Sequence, residues 1–99
     1  MRNNARTEKH LEEKVALAER HVMTGEKIVA RQRQLVDDLR IAHANWIETQ
    51  KLLDDFENCL RIFRDDLEAY KADLEAFRRR ENNGSLAFSL TALAETRGD

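Results

Sequence analysis

Apolar residues recur through the first part of the chain at alternating spacings of four and three, at Leu11, Val15, Ala18, Val22, Gly25, Val29, Gln32, Val36 and Leu39. That alternation is the a/d seam of a helix packed along another helix. A second seam runs through Thr49, Leu53, Phe56, Leu60, Phe63, Leu67, Tyr70, Leu74 and Phe77. The two are out of phase, because carrying the first frame past His43 and Trp46 would place Gln50 and Glu57 on the seam. Joining the frames needs a slip of about three residues. The slip falls at Ala42-His43-Ala44-Asn45-Trp46 and reads as a turn between two helices. The pattern predicts an all-α fold, an antiparallel two-helix coiled-coil hairpin.

Local signals set the expected limits. Met1 to Arg6 forms a polar arm, and Thr7 followed by Glu8 offers an N-cap with an acid in the first turn. Asn45 is an N-cap for the second helix, with Glu48 at its third helical position. Asn82-Asn83-Gly84 is expected to close that helix just after Arg80, since these residues readily take the left-handed conformation. Beyond it, Leu86, Leu90 and Leu93 have helical spacing, whereas Leu86, Phe88 and Leu90 alternate as in a strand. The expected organisation is an arm over 1–6, a hairpin over 7–80 turning near 42–45, and a C-terminal short helix or tail over 81–99. Pairs four apart, such as Lys9 with Glu13 and Arg33 with Asp37, add only a few tenths of a kcal/mol, so the helices depend on their seam.

Folding the chain at the turn pairs positions whose numbers sum to 88 or 89. Phe63 then faces Gly25, Tyr70 faces Ala18 and Phe56 faces Gln32, while Leu60 meets Val29 and Leu67 meets Val22. Large rings opposite small or flexible partners fill an interface without voids.

The apolar stripe widens toward the turn, where Ile28, Leu35 and Ala42 flank one seam, Leu52 and Cys59 flank the other, and Ile41, Trp46 and Ile47 crowd the tip. One partner helix does not cover so wide a face. Self-association of two chains into a four-helix bundle is the expected remedy, with Ile28, Leu35, Ile41, Trp46, Ile47, Leu52 and Cys59 as interface residues. Folding back of the Leu86 to Leu93 segment is the alternative.

Composition narrows the functional classes. The 36% charged and 41% apolar residues, with no proline, suit a single helical domain. A net charge of -2 and a pI near 5.9 give no overall attraction to nucleic acid or an anionic membrane. No stretch reaches the roughly 18 apolar residues of a membrane span. Met1-Arg2-Asn3-Asn4 is followed by no apolar run, and Cys59 is the single cysteine, so a cytoplasmic, reduced protein is expected.

The runs Ala18-Glu19-Arg20-His21-Val22 and Gly25 to Leu35, followed by Leu52-Leu53 and Phe56-Glu57, resemble a group of small uncharacterised bacterial helical proteins with A-E-R-H-I, G-E-R-x-I-A-R-Q-R, L-L and F-E at like spacing. The resemblance spans roughly residues 11 to 77 and implies a hairpin but no activity. Where that group carries a polar, glycine-containing turn, this chain has Ala42-His43-Ala44-Asn45-Trp46.

Candidate chemistry is sparse. His10, His21 and His43 have no Glu-x-x-His or His-x-x-x-His spacing, and Asp37-Asp38, Asp54-Asp55 and Asp65-Asp66 have no calcium-loop glycine, so no metal site is expected. Cys59 beside the seam reads as a small hydrophobe. No phosphate loop or nucleophile elbow is present. The reading is a non-enzymatic protein interaction or scaffold module without cofactor, acting as a homodimer. Arg20, Lys27, Arg31 and Arg33, with Arg78-Arg79-Arg80, leave a nucleic-acid-associated regulator as the alternative, in which they would contact phosphates.

Overall fold

A computed structural model describes the backbone of residues 2–97 and the side chains of residues 4–84. Two α-helices, α1 (Arg2–Ile41) and α2 (Ile47–Arg97), pack against each other as a hairpin about 87 Å long and 20 Å across. All eighteen predicted seam positions are buried or half-buried, and apart from Glu8, Trp46, Gln50 and Glu57 every other described side chain is exposed. Val29, Val36, Leu53 and Leu60 form the centre, with Val22, Trp46 and Phe56 packed on it.

The turn is built by backbone hydrogen bonds. The His43 N–H donates to the Arg40 carbonyl at 3.1 Å and the Ala44 N–H to the Leu39 carbonyl at 2.9 Å, the paired bonds of a Schellman motif. That motif needs a left-handed residue at its centre. His43 supplies it at φ 55°, where glycine is the usual occupant. Two residues on, Asn45 Oδ1 accepts from the Ile47 N–H at 3.1 Å and caps α2 as expected. The Arg40 guanidinium lies 4.0 Å from the centre of the Trp46 ring and closes the connection from above.

The ends of both helices differ from the sequence expectation. α1 begins at Arg2 rather than Thr7, and its first turns reach α2: Asn4 Nδ2 donates to Glu81 Oε2 at 3.2 Å. α2 does not close at Asn82-Asn83-Gly84 but continues to Arg97, so residues 81–97 extend the second helix and form no separate third one. Asparagine and glycine permit a left-handed cap without imposing it. Gly84 keeps a negative φ, and nothing lies within 4 Å of where its Cβ would be, so no packed chain reversal rewards a stop there. One unfavourable residue, costing about 1 kcal/mol relative to alanine, does not end a long helix. The packing of Leu86, Leu90 and Leu93 and the last two residues of the expected tail, Gly98-Asp99, lie outside the described residues.

Gly25 is the closest point of the seam. A Cβ on it would sit 3.0 Å from Leu60 Cδ1 and 3.6 Å from Phe63 Cδ2. The expected seat for Phe63 is therefore present, with Leu60 nearer still. The α1 seam has one polar position, and there Gln32 Oε1 is buried without a hydrogen-bond partner among the described residues.

Two stability measurements test this packing. His43→Gly should stabilise the protein by about 0.5–1 kcal/mol in urea unfolding, since relief of the left-handed strain outweighs the added freedom of the unfolded chain; a loss would mean that the turn is built differently. Gly25→Leu should cost about 1–3 kcal/mol by overpacking, and much less in a Leu60→Ala background. Simple additivity in that double-mutant cycle would show that the two residues do not share the seat.

Candidate functional site: an open apolar flank

The seam has two flanks, and they differ in chemistry. On one flank, charged residues reach across from helix to helix. Arg33 Nε and Nη2 donate to Glu57 Oε1 at 3.2 and 3.1 Å, and Arg64 Nη2 donates to Glu26 Oε1 at 3.4 Å. Arg78 donates through Nε to Glu8 at 3.0 Å and through Nη2 to Glu12 at 2.9 Å. Those two carboxylates, Glu8 foremost, raise the Arg78 pKa above its ordinary value. Arg33 thus pairs across the hairpin rather than with Asp37. These pairs are exposed and individually weak. Together they cover the edge of the seam with matched charge.

The opposite flank has grooves instead. One of about 240 Å³ is lined by Gly25, Ile28, Phe56, Cys59, Leu60 and Phe63. It shares Phe63 with a second, of about 300 Å³, which runs on past His21, Leu17 and Tyr70. A third continues along Leu11 and Phe77 toward the open end. The His21 and Phe63 rings pack at 5.4 Å between centroids, and Lys14 Nζ lies 4.9 Å above the Tyr70 ring. Phe56, Phe63, Tyr70 and Phe77 fall on this flank because each follows its aliphatic seam neighbour by three residues and leans to the same side.

Four expected interface residues share the flank. Ile28 and Cys59 line the groove, and Leu35 and Leu52, each seven residues nearer the turn in sequence, lie along the same stripe. All four are exposed, Leu35 and Leu52 by 44% and 45%. The other three sit elsewhere. Trp46 packs on the hairpin's own core, while Ile41 and Ile47 point away from this flank at the tip, roughly 120–140° around their helices from Leu35 and Leu52. Leu17 and Ile62, both exposed, border the flank and were not among the expected residues. Each lies three or four residues from a flank position, and that spacing on the helix face is the signal that could have found them.

Compared with models of known protein families, with curated proteins and with solved structures, the chain matches none. No helix among the described residues is long and apolar enough to cross a membrane. Of the basic residues considered for phosphate contact, Arg33, Arg78 and Arg79 are held by carboxylates, Arg79 by Glu75 at 3.3 Å.

The charged flank gives a direct test. Reversing Arg33 to Glu, or Glu57 to Arg, should each destabilise by up to about 1 kcal/mol, and the double exchange should recover most of the loss. No recovery in low-salt urea unfolding would mean that the pair is not formed.

Proposed function

We propose that this chain is a non-enzymatic interaction module, a coiled-coil hairpin that joins a second copy through its apolar flank as a four-helix bundle and presents the assembled surface to a protein partner. The observation that supports this reading is the difference between the flanks: one side is closed by interhelix charge pairs, and the other carries continuous apolar grooves.

Surface area points the same way. A compact monomer of 11.6 kDa would expose about 5,800 Å². This chain exposes 8177 Å². The excess is more than twice the roughly 800 Å² that each partner contributes to a standard interface. No described side chain is fully buried, so the core of the single hairpin is thin. A second hairpin on the flank would cover Ile28, Leu35, Leu52 and Cys59 and thicken it.

Sedimentation equilibrium at tens of micromolar should give twice the 11.6 kDa chain mass. Leu35→Glu, which places a charge in the stripe, should return it to one chain while far-ultraviolet circular dichroism stays helical. A wild-type single-chain mass would overturn the self-association.

A further inference from the structure

The arrangement of charge along the apolar flank distinguishes between the two ways in which copies could meet, a question that rests on the self-association proposed above. Two hairpins placed flank to flank by a two-fold axis have two arrangements. With the axis along the hairpin, both turns lie at one end and α1 lies over the partner's α2. With the axis across the hairpin, the turns lie at opposite ends and α1 lies over the partner's α1.

Over most of this flank the two helices differ in charge. On α1 stand Lys14 and Arg31, with His21 between them; on α2 stand Asp55, Asp66 and Asp73, with the basic Arg80 beside Asp73 at the open end. Lys14, His21 and Asp66 line the groove beside Phe63, and Asp73 lines the one at the open end. Arg31 and Asp55 stand about 60° around their helices from Ile28 and Leu52, at the rim of the stripe. They sit at one level of the hairpin, as do Lys14 with Asp73 and His21 with Asp66, since each pair sums to 86 or 87, close to the register of the seam. None of Arg31, Asp55, Asp66 and Asp73 has an ion-pair partner among the described residues.

We infer that two copies of this chain pack with their turns at the same end, α1 of each over α2 of the other, so that Arg31 faces the partner's Asp55 and Lys14 the partner's Asp73. The crossed arrangement would set the basic edge against the basic edge and the acidic edge against the acidic edge. Charge of one sign across an interface excludes an arrangement as effectively as opposite charge selects one. The aligned arrangement also lays the apolar, turn-proximal half of one flank on the same half of the other along its whole length. One like-charged pair, Asp38 against the partner's Glu48, would come near at the turn. Both are already engaged, Asp38 by Gln34 at 2.9 Å and Glu48 by Lys51 at 3.8 Å.

Two measurements on the full chain test the arrangement. Spin labels on Ala44→Cys in a Cys59→Ser background should give an interchain distance under about 25 Å, given helix spacings of roughly 8–10 Å. A crossed pair centred on Arg31 and Asp55 would separate the turns by about 35–40 Å at 1.5 Å per residue. Arg31→Asp or Asp55→Arg alone should weaken dimerisation about tenfold, since each removes two symmetry-related rim pairs worth roughly threefold apiece, and the double exchange should restore it. A double-chain mass with the long distance, or with single reversals that leave the affinity unchanged, overturns this arrangement alone. A single-chain mass for the wild type removes self-association, and the arrangement with it.

Discussion

The close approach at Gly25 fixes the register on which the rest of the hairpin depends. With no side chain of its own, Gly25 lets Leu60 and the Phe63 ring come within contact of the α1 backbone. A shift of one heptad would take both away from the glycine. The flank charges penalise the same shifts: moving α2 one way would bring Arg64 opposite Arg33, and moving it the other way would bring Glu57 opposite Glu26. In the observed register the pairs at 33 and 57, 26 and 64, and 12 and 78 are opposite in sign, and their numbers sum to 90 at every one. Apolar fit and charge fit select one alignment, and that agreement between levels is what lets a sequence specify one structure.

Much of this was legible because the seam signal is periodic and long. Each helix carries nine seam positions, so one misread residue does not shift the phase. The break in phase between them located the turn. The helix ends were less legible, because Thr7 and Asn82-Asn83-Gly84 are permissive signals whose outcome is decided by what the neighbouring chain does. His43 shows the converse. It has no strong preference for the left-handed conformation, yet the Schellman bonds to Leu39 and Arg40, the Asn45 cap and the Arg40 stack on Trp46 together hold it there. Of the candidate interface, the four residues flanking the seam could be grouped from spacing alone. The place of Trp46 in the core could not, because a tryptophan beside a turn can pack inward or outward at the same sequence position.

The cross-hairpin charges were missed for a different reason. Reading Arg33 against Asp37 uses only spacing within one helix. Reading it against Glu57 requires the register and the side of the seam as well, two inferences that must both be right. Once they are in place, the polar residues stop being a uniform solvated surface. One flank becomes a closed edge, and the other is left with aromatic side chains, aliphatic neighbours and grooves.

Gln32 shows what this division costs and what it selects. An amide oxygen buried without a partner is unfavourable by about 1–3 kcal/mol, and leucine at that seam position would avoid the loss. A uniformly aliphatic seam, however, packs nearly as well after a slip of one heptad as before it. A polar residue at one seam position breaks that equivalence, because its cost differs between alignments. In the observed alignment Gln32 stands opposite Phe56, next to the apolar flank and one heptad from the glycine seat. A slip in either direction would move Gln32 away from Phe56 while also losing the Gly25 contact and opposing like charges. Gly25 and the flank charges therefore outweigh the loss at Gln32 in fixing the alignment, and together they keep the apolar flank continuous from Leu17 to Leu35.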